Sequence, residues 1–139
     1  MNILFDASAL FKRYSGEIGV KRVTQLQASA SAISVAAHCK TEVTSALTRQ
    51  WREGAFSVAE YERVLADIHA DFEELAVIPL SHQAEHYAIV AMRIATLRAM
   101  DALHIGTAQA ARVDLFVTAD RRQASAATAA GLKTELIEA

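Results

Sequence analysis

Two acidic residues directly follow apolar runs that are typical of buried strands. Asp6 ends the stretch NILFD, and Asp120 ends the similar stretch LFVTAD near the other end of the chain. Ligands of an open parallel sheet bind outside the carboxyl ends of its strands. The sequence therefore predicts that both carboxylates lie on one rim of a sheet, where they can act together on a cation or a substrate.

Two further acids lie on predicted helices, at positions beside an apolar face. Glu42 falls between Cys39 and Ala46 on the apolar stripe of its helix. A carboxylate there is costly unless it is paired or binds a cation. Asp101 shares a helix face with Ile105, and it also lies where the first turn of a helix would favour an acid. Both residues are candidates for the same acidic rim.

Each of these acids also has an ordinary structural explanation. Asp6 and Asp120 can cap the helices that follow them. Glu42 can lie solvated at the edge of the stripe, and Asp101 can serve as a simple cap or first-turn acid. The functional interpretation depends on all four together, because one acidic rim would account for every one of them.

A cluster of carboxylates predicts a particular chemistry. Clustered carboxylates repel one another and raise each other's pKa, and a hard divalent cation relieves that repulsion. Oxygen-only ligands suit Mg²⁺ or Mn²⁺, and such an ion activates water and stabilises charge on a phosphoryl group. Metal-assisted phosphodiester hydrolysis is therefore the leading hypothesis. The basic residues near the acids are candidates to contact the flanking phosphates of a bound strand: Lys12, Arg13, Arg98, Arg121 and Arg122.

The elements that must position these residues alternate between short apolar runs and helical stretches. This alternation is typical of an α/β fold with a largely parallel sheet. Strands are predicted at 2–5, 32–35, 76–80, 114–120 and 134–138. Helices are predicted at 7–13, 17–28, 35–52, 57–74 and 121–131. A further helix is predicted to start at Ser81, and the stretch 86–112 is predicted to be helical with a break before Asp101.

Local signals refine these boundaries. Ser34 is the predicted N-cap of the helix over 35–52, and Gly54 is expected to end that helix. Ser57 and Glu60 form a capping-box pattern. Pro79 indicates an edge position or the end of a strand.

Composition narrows the class of protein. At 139 residues the chain is expected to form one domain, and its formal net charge of −2 argues weakly against nonspecific coating of nucleic acid. No apolar run approaches the roughly 20 residues of a membrane span, and no secretory signal is evident. The single cysteine, Cys39, excludes an internal disulfide and a cysteine zinc site. A cytoplasmic protein is expected.

The histidines are interpreted as structural. His104 lies three residues after Asp101 and is expected to be structural or to support the acidic cluster. Only His82 and His86 have a metal-like spacing, and they lack the glutamate arrangement of the H-E-x-x-H motif. His38 is not assigned a role.

With their flanking residues, the four acids resemble the PIN-domain family, and more narrowly the VapC-type ribonuclease toxins of type II toxin–antitoxin systems. The resemblance rests on four stretches that follow one another along essentially the whole chain: FDASAL, TEVTSAL, LRAMDALHIGTA and LFVTADRR. It implies one PIN-like nuclease domain over residues 1–139. It also implies a three-layer αβα sandwich with a five-stranded parallel sheet in the order 3-2-1-4-5.

The resemblance further implies site residues, activity and partners. The metal-binding catalytic cluster would be Asp6, Glu42, Asp101 and Asp120, supported by Ser8 and Thr118. The activity would be that of a Mg²⁺- or Mn²⁺-dependent endoribonuclease that cleaves tRNA, rRNA or mRNA and inhibits translation. The implied partners are a small antitoxin, whose basic or aromatic tail blocks the acidic pocket, and a second copy of the chain in a homodimer.

Two alternatives stay open at this point. One is a PIN-like module that binds RNA or a partner without catalysis. The other is a phosphatase or phosphotransfer domain that uses Asp6. A haloacid-dehalogenase-like phosphatase would place a second aspartate at position 8, where this chain has Ser8.

Overall fold

In the part of the chain that the structure describes, five short strands form a parallel sheet at the centre of the protein, and seven helices cover it. The computed structural model describes residues 1–16 and 18–138. The strands are β1 Asn2–Phe5, β2 Ala32–Ala36, β3 Ala76–Ile78, β4 Leu115–Thr118 and β5 Thr134–Leu136. The helices are α1 Ala7–Ser15, α2 Val20–Ser29, α3 Cys39–Arg52, α4 Val58–Glu74, α5 His82–Ile94, α6 Ala99–Ala111 and α7 Arg121–Ala129.

The order of the strands across the sheet is β3-β2-β1-β4-β5, as expected, and every pair is parallel. The central strand β1 pairs with β4 so that Phe5 lies opposite Val117. The residues that follow these two strands therefore emerge side by side at one rim, which brings Asp6 next to Thr118.

Alternate residues of β1 face two separate apolar layers. Ile3 and Phe5 pack into one core with the helices α1 to α4, and Leu4 packs into the other with α5 to α7. This alternation follows from the period of two in a strand, and both faces of a parallel sheet are normally covered by helices. The predicted three-layer αβα architecture is confirmed.

Several predicted boundaries are confirmed. Ser57 and Glu60 form a complete capping box at the start of α4. The chain between residues 86 and 112 is broken as expected, because α5 ends at Ile94 and α6 begins at Ala99 with Asp101 in its first turn. The strand β3 ends directly before Pro79 and lies at an edge of the sheet, where proline's missing N–H costs no ladder hydrogen bond.

Other predicted boundaries are wrong. Ser34 lies inside β2 rather than at a helix start, and its Oγ donates a 3.1 Å hydrogen bond to Asn2 Oδ1 on the neighbouring strand. The helix α3 begins only at Cys39, preceded by His38. The alanines at 36 and 37 favour helix by propensity, but pairing of β2 with β3 extends the strand to Ala36. The predicted start of α2 at Glu17 lies outside the described residues.

Helices α5 and α6 approach each other closely at Gly106. A methyl group on Gly106 would lie 2.2 Å from the carbonyl oxygen of Ala84 and 2.7 Å from the backbone nitrogen of Ala88. Only glycine allows this distance between the two backbones, and α6 is the helix that carries Asp101 and His104. Along the described ranges, no helix combines the length and apolar character needed to cross a membrane.

Candidate functional site

Asp6 is buried at the rim between β1 and β4, and both of its carboxylate oxygens are hydrogen-bonded. Oδ1 accepts hydrogen bonds from Ser8 Oγ at 2.7 Å and from the Ala9 N–H at 3.0 Å, and Oδ2 accepts one from Thr118 Oγ1 at 2.5 Å. Burial raises the pKa of the Asp6 carboxyl above its ordinary value, although the charge of His104 and these hydrogen bonds act in the opposite direction. Asp6 is also the N-cap of α1, so the structural explanation applies to it as well.

Ser8 and Thr118 connect the turn after β4 to the turn after β1. The Ala119 N–H donates to Ser8 Oγ at 2.9 Å, and the Asp120 N–H donates to Thr118 Oγ1 at 3.1 Å. The two hydroxyl oxygens lie 3.2 Å apart. This hydrogen-bond network fixes the position of Asp6 relative to the backbone of Asp120.

Asp120 caps the helix α7. Its Oδ1 accepts hydrogen bonds from the backbone N–H groups of Arg122 at 2.8 Å and Gln123 at 3.4 Å. The capping explanation is therefore correct for this residue too. A capping carboxylate uses only part of its acceptor capacity, because two oxygens offer about four lone-pair sites. The remaining sites of Asp120 leave room for a further ligand.

Asp101 shows that the acids influence one another. Burial raises its pKa, and the charges of Glu42 and Asp120 raise it further, while those of His104 and Arg98 oppose the change. Asp101 and Asp120 line one cavity of about 350 Å³. Arg98 and Arg122 line the same cavity. The structure therefore brings Asp101 together with two of the other predicted acids.

Glu42 has two histidine partners. Its Oε1 lies 2.6 Å from His104 Nε2 and 3.1 Å from His38 Nε2. Burial alone would raise the pKa of Glu42, but the hydrogen bonds and charges of these two histidines lower it to about 2. Glu42 lies beside the apolar stripe and is paired, as expected, and its partners are the imidazole rings of His38 and His104.

Sequence reasoning left the partnership of His38 and His104 with Glu42 unassigned. His38 precedes Glu42 by four residues, a spacing that places two side chains on the same side of a helix, and this signal was present in the sequence. His104 lies on α6 and reaches Glu42 only through the packing of α6 against the sheet, which no local pattern encodes. Within the described ranges, the only three His, Cys, Asp or Glu residues whose donor atoms all lie within 4.8 Å of one another are His38, Glu42 and His104. The joint role of the four acids as metal ligands stays a prediction.

The predicted phosphate contacts divide into three locations. Arg98 and Arg122 line the cavity that Asp101 and Asp120 share, hereafter the acidic cavity. Lys12 and Arg121 line a neighbouring cavity of about 290 Å³, where Arg121 Nε donates to Glu138 Oε1 at 2.8 Å. Arg13 bonds to Asp71 at 3.2 Å in a cavity lined by residues 30–33, at the opposite rim of the sheet. The structure does not bring Arg13 to the acids.

The fold of the chain is similar to several solved structures. The VapBC complex of Rickettsia felis, bound to a DNA fragment from its promoter, superposes with a TM-score of 0.71 at 13% identity, covering 99% of this chain and 100% of that chain. The DNA-bound VapBC of Salmonella typhimurium gives a TM-score of 0.70 at 16% identity, covering 99% of both chains. A VapC toxin of Mycobacterium tuberculosis, described as cleaving the sarcin–ricin loop, gives 0.69 at 15% identity, covering 94% of this chain and 95% of that chain.

No curated protein matches this sequence. A family model does match it, over residues 3–129, and that model describes the PIN domain. The match includes all four predicted acids, and the strand order and helix layers agree with the PIN-like fold. The chain belongs to the PIN-domain family.

Proposed function

We propose that this chain is a metal-dependent endoribonuclease and the toxin of a toxin–antitoxin pair. The observation that carries the proposal is the convergence of Asp101 with Glu42 and Asp120 at the carboxyl rim of the sheet, where burial and then the charges of the other two acids raise the pKa of Asp101. An acid in a cleft whose pKa is raised by burial and by neighbouring acids is a candidate functional group. Membership of the PIN-domain family, whose members are generally nucleases, supports the same conclusion.

The residues present fit a hard divalent cation. Asp101 and Asp120 offer carboxylate oxygens on a shared cavity, and such oxygens are the ligands that Mg²⁺ and Mn²⁺ prefer. A cation there would offset both the burial of the Asp101 carboxylate and the repulsion from Glu42 and Asp120, which together raise its pKa. In the proposed site Asp6, Glu42, Asp101 and Asp120 hold this ion, and its chemistry when bound is activation of a water molecule and neutralisation of phosphoryl charge.

The remaining residues position the acids and the substrate. Ser8 and Thr118 hold the Asp6 carboxylate in one orientation through both of its oxygens. Arg98 and Arg122 border the acidic cavity, where their guanidinium groups can bind the phosphates on either side of the scissile bond. A cavity lined by both arginines and acids can bind a phosphodiester strand through the arginines and present one phosphate to the acids.

The likeness to VapC structures suggests partners. One of those proteins is described as a toxin that cleaves the sarcin–ricin loop, and others were solved as VapBC complexes. For this chain we infer an RNA substrate among tRNA, rRNA or mRNA, inhibition of translation, and a small antitoxin that covers the acidic cavity. Such a pair would act in the cytoplasm.

A homodimer is part of the proposal. The helix α5 exposes branched aliphatic side chains, with Ile89 56% and Ile94 53% accessible and Val90 also exposed. Exposed apolar surface of this kind marks interaction sites. Light scattering should give the mass of a dimer for the wild type and of a monomer for Ile89→Glu. A monomeric wild type would contradict this part of the proposal.

The decisive experiment is cleavage of cellular RNA by purified protein. Cleavage is expected with Mg²⁺ or Mn²⁺, and it should be lost with EDTA and in both Asp6→Asn and Asp101→Asn. Cleavage that is unchanged in both variants would overturn the site assignment. Absence of any cleavage together with absence of Mg²⁺ binding would favour a module that binds RNA or a partner without catalysis.

The geometry of Asp6 argues against the phosphotransfer alternative. A phosphate-accepting carboxylate must expose an oxygen to the incoming phosphoryl group, whereas Asp6 is 3% exposed and both of its oxygens accept hydrogen bonds. Position 8 is Ser8, whose hydroxyl is one of the donors to Asp6. Asp6 therefore serves as a fixed carboxylate and not as a nucleophile, and its Oδ2, which accepts one hydrogen bond, keeps a lone-pair site for the proposed ion.

A further inference from the structure

We propose that His38, Glu42 and His104 form a site for a transition-metal ion of the Zn²⁺ class, distinct in donor type from the acidic site for Mg²⁺. The site itself does not depend on the proposed nuclease function, but its consequence for catalysis rests on that function. Occupancy of this site would take Glu42 away from Asp101 and Asp120 and so inhibit the enzyme.

The three donor atoms already converge. Glu42 Oε1 lies 2.6 Å from His104 Nε2 and 3.1 Å from His38 Nε2, and the donor atoms of the three residues all lie within 4.8 Å of one another. The two imidazole rings lie 4.2 Å apart between centroids and are tilted by 43°. A small shift of the carboxylate would open room for an ion between the three ligand atoms, where the Glu42 oxygen now faces the two imidazole nitrogens directly.

The donor set determines the class of ion. Two imidazole nitrogens and one carboxylate oxygen are the protein ligands of many catalytic zinc sites, which keep a fourth position for water. Imidazole suits Zn²⁺, Co²⁺ and Ni²⁺, whereas Mg²⁺ prefers oxygen ligands and gives up its waters reluctantly. His38 and His104 therefore favour an ion of the Zn²⁺ class, whereas the oxygen ligands of the acidic site favour Mg²⁺.

The hydrogen bonding of the rings permits coordination through Nε2. Along the described part of the chain, His104 Nδ1 is buried with no hydrogen-bond partner, so no donor holds that nitrogen as an acceptor. In the metal-free protein Nε2 carries the proton that it donates to the Glu42 carboxylate. An ion that binds Nε2 displaces this proton, and the neutral ring then carries its proton on Nδ1. His38 Nε2 lies 2.9 Å from the carbonyl oxygen of Met100, a contact that the ring would exchange for the ion.

The three ligands lie on two rigid elements, and the site has an entry path. His38 and Glu42 belong to the start of α3, while His104 lies on α6 and is 1% exposed. The side chain of Glu42 is 32% exposed, so an ion can reach the carboxylate from solvent. One buried ligand, His104, and two partly exposed ligands on the opposite wall, His38 and Glu42, make a site that is both fixed and accessible.

The first experiment uses untagged full-length protein and Co²⁺ alone, because tetrahedral Co²⁺ bound to nitrogen has an intense visible spectrum. We expect one Co²⁺ per chain, displaced by Zn²⁺. The His38→Ala variant should bind at least about 10- to 100-fold more weakly, since that is the loss that follows removal of even an outer-shell partner of a metal ligand. The double variant His82→Ala/His86→Ala, which changes the exposed histidine pair on α5, is the matched control and should bind as the wild type does.

Each outcome decides the proposal. No Co²⁺ spectrum in the wild type, or the same affinity in His38→Ala, would overturn it. His104 is buried, so its substitution would disturb the core, and His38, whose side chain is 19% exposed, carries the test. Asp101→Asn should keep the Co²⁺ spectrum, because Asp101 is not one of the three ligands. Retained binding in this variant, together with lost RNA cleavage, would separate the two sites.

The second experiment measures inhibition. In saturating Mg²⁺, Zn²⁺ should inhibit RNA cleavage by the wild type. For each protein, activity is expressed as a fraction of its own rate without Zn²⁺. The Zn²⁺ concentration that halves this fraction should be about tenfold or more higher for His38→Ala than for the wild type. Equal sensitivity of the two proteins would overturn the competition for Glu42. If the chain cleaves no RNA, the proposed function fails while the Co²⁺ measurement still decides the metal site.

Discussion

Thr118 Oγ1 donates a 2.5 Å hydrogen bond to Asp6 Oδ2 and so joins the ends of the neighbouring parallel strands β1 and β4. The same hydroxyl oxygen accepts the N–H of Asp120. One buried side chain therefore sets the relative position of two predicted catalytic acids. Its loss would leave a buried carboxylate short of one donor and a backbone N–H without its acceptor.

Thr118→Val tests this relationship, because valine keeps the shape and removes the hydroxyl. We expect the free energy of unfolding to fall by about 1–3 kcal/mol, the cost of leaving a buried polar group unpaired. Urea denaturation measures this loss. Thr118→Ser keeps the hydroxyl and is the matched control, with a loss of about 1 kcal/mol for the missing methyl. Equal losses in the two variants would contradict the role of the hydrogen bond.

The sequence pattern was enough to predict a parallel sheet with two acids at its carboxyl rim, whereas the strand order was predicted from the resemblance to the PIN-domain family; the limits of both have physical causes. Asp6 and Asp120 were predictable because they directly follow apolar strands, and both are found at the carboxyl rim. Ser34 was misassigned because a serine before alanines has the pattern of an N-cap, whereas pairing of β2 with both neighbours decides its conformation. The contact between His104 and Glu42 joins residues 62 positions apart and depends on the packing of α6.

Gly106 is expected to be required for the close contact between α5 and α6. Helix propensity alone predicts that Gly106→Ala would stabilise the protein by about 1 kcal/mol. The new methyl group would lie 2.2 Å from the carbonyl oxygen of Ala84, so we expect destabilisation by about 1–3 kcal/mol instead. Urea denaturation checks the sign. The reverse change on the same helix, Ala110→Gly, is the control and should cost about 1 kcal/mol from propensity. A more stable Gly106→Ala variant would contradict the observed packing.

Glu42 should make the metal-free protein sensitive to acid. Its histidine partners lower its pKa from an ordinary value of 4.5 to about 2 in the folded state. A group with a lowered pKa contributes stability above its unfolded value and loses that contribution as the pH falls through the folded one. In EDTA, the stability advantage of the wild type over Glu42→Gln should shrink by about 1–2 kcal/mol as the pH falls from 4.5 towards 2, after allowance for partial exposure.

Urea titrations of both proteins at several acidic pH values measure this difference. An advantage that stays constant across the range would mean that Glu42 is not held in its charged form by His38 and His104.

Divalent cations should stabilise the folded chain through the acidic site. An ion that binds only the native state stabilises it by about 2.7 kcal/mol at 100 times its dissociation constant. We therefore expect Mg²⁺ to raise the Tm of the wild type by several degrees and to leave that of Asp101→Asn nearly unchanged. Differential scanning fluorimetry with and without EDTA provides the measurement. Asp67→Asn, on the exposed face of α4, is the control and should keep the response. An undiminished shift in Asp101→Asn would place the ion elsewhere.

Arg98 and Arg122 should bind RNA phosphates, and Arg13 should not. The first two line the acidic cavity, whereas Arg13 is paired with Asp71 at the opposite rim. Each phosphate contact releases counterions, so its removal weakens binding and reduces the slope of log affinity against log salt by roughly 0.7 to 1. Fluorescence anisotropy with labelled single-stranded RNA, in EDTA to prevent cleavage, measures affinity and slope together.

We expect Arg98→Ala and Arg122→Ala each to show the weaker affinity and the smaller slope. Arg13→Ala is the matched control, because it also removes one arginine side chain. The ion pair with Asp71 that is lost with it contributes at most about 1 kcal/mol to stability. It should bind RNA as the wild type does at every salt concentration. If all three variants lose affinity equally, the arginines act through net charge alone, and the cavity beside Asp101 and Asp120 is not the place where the strand lies.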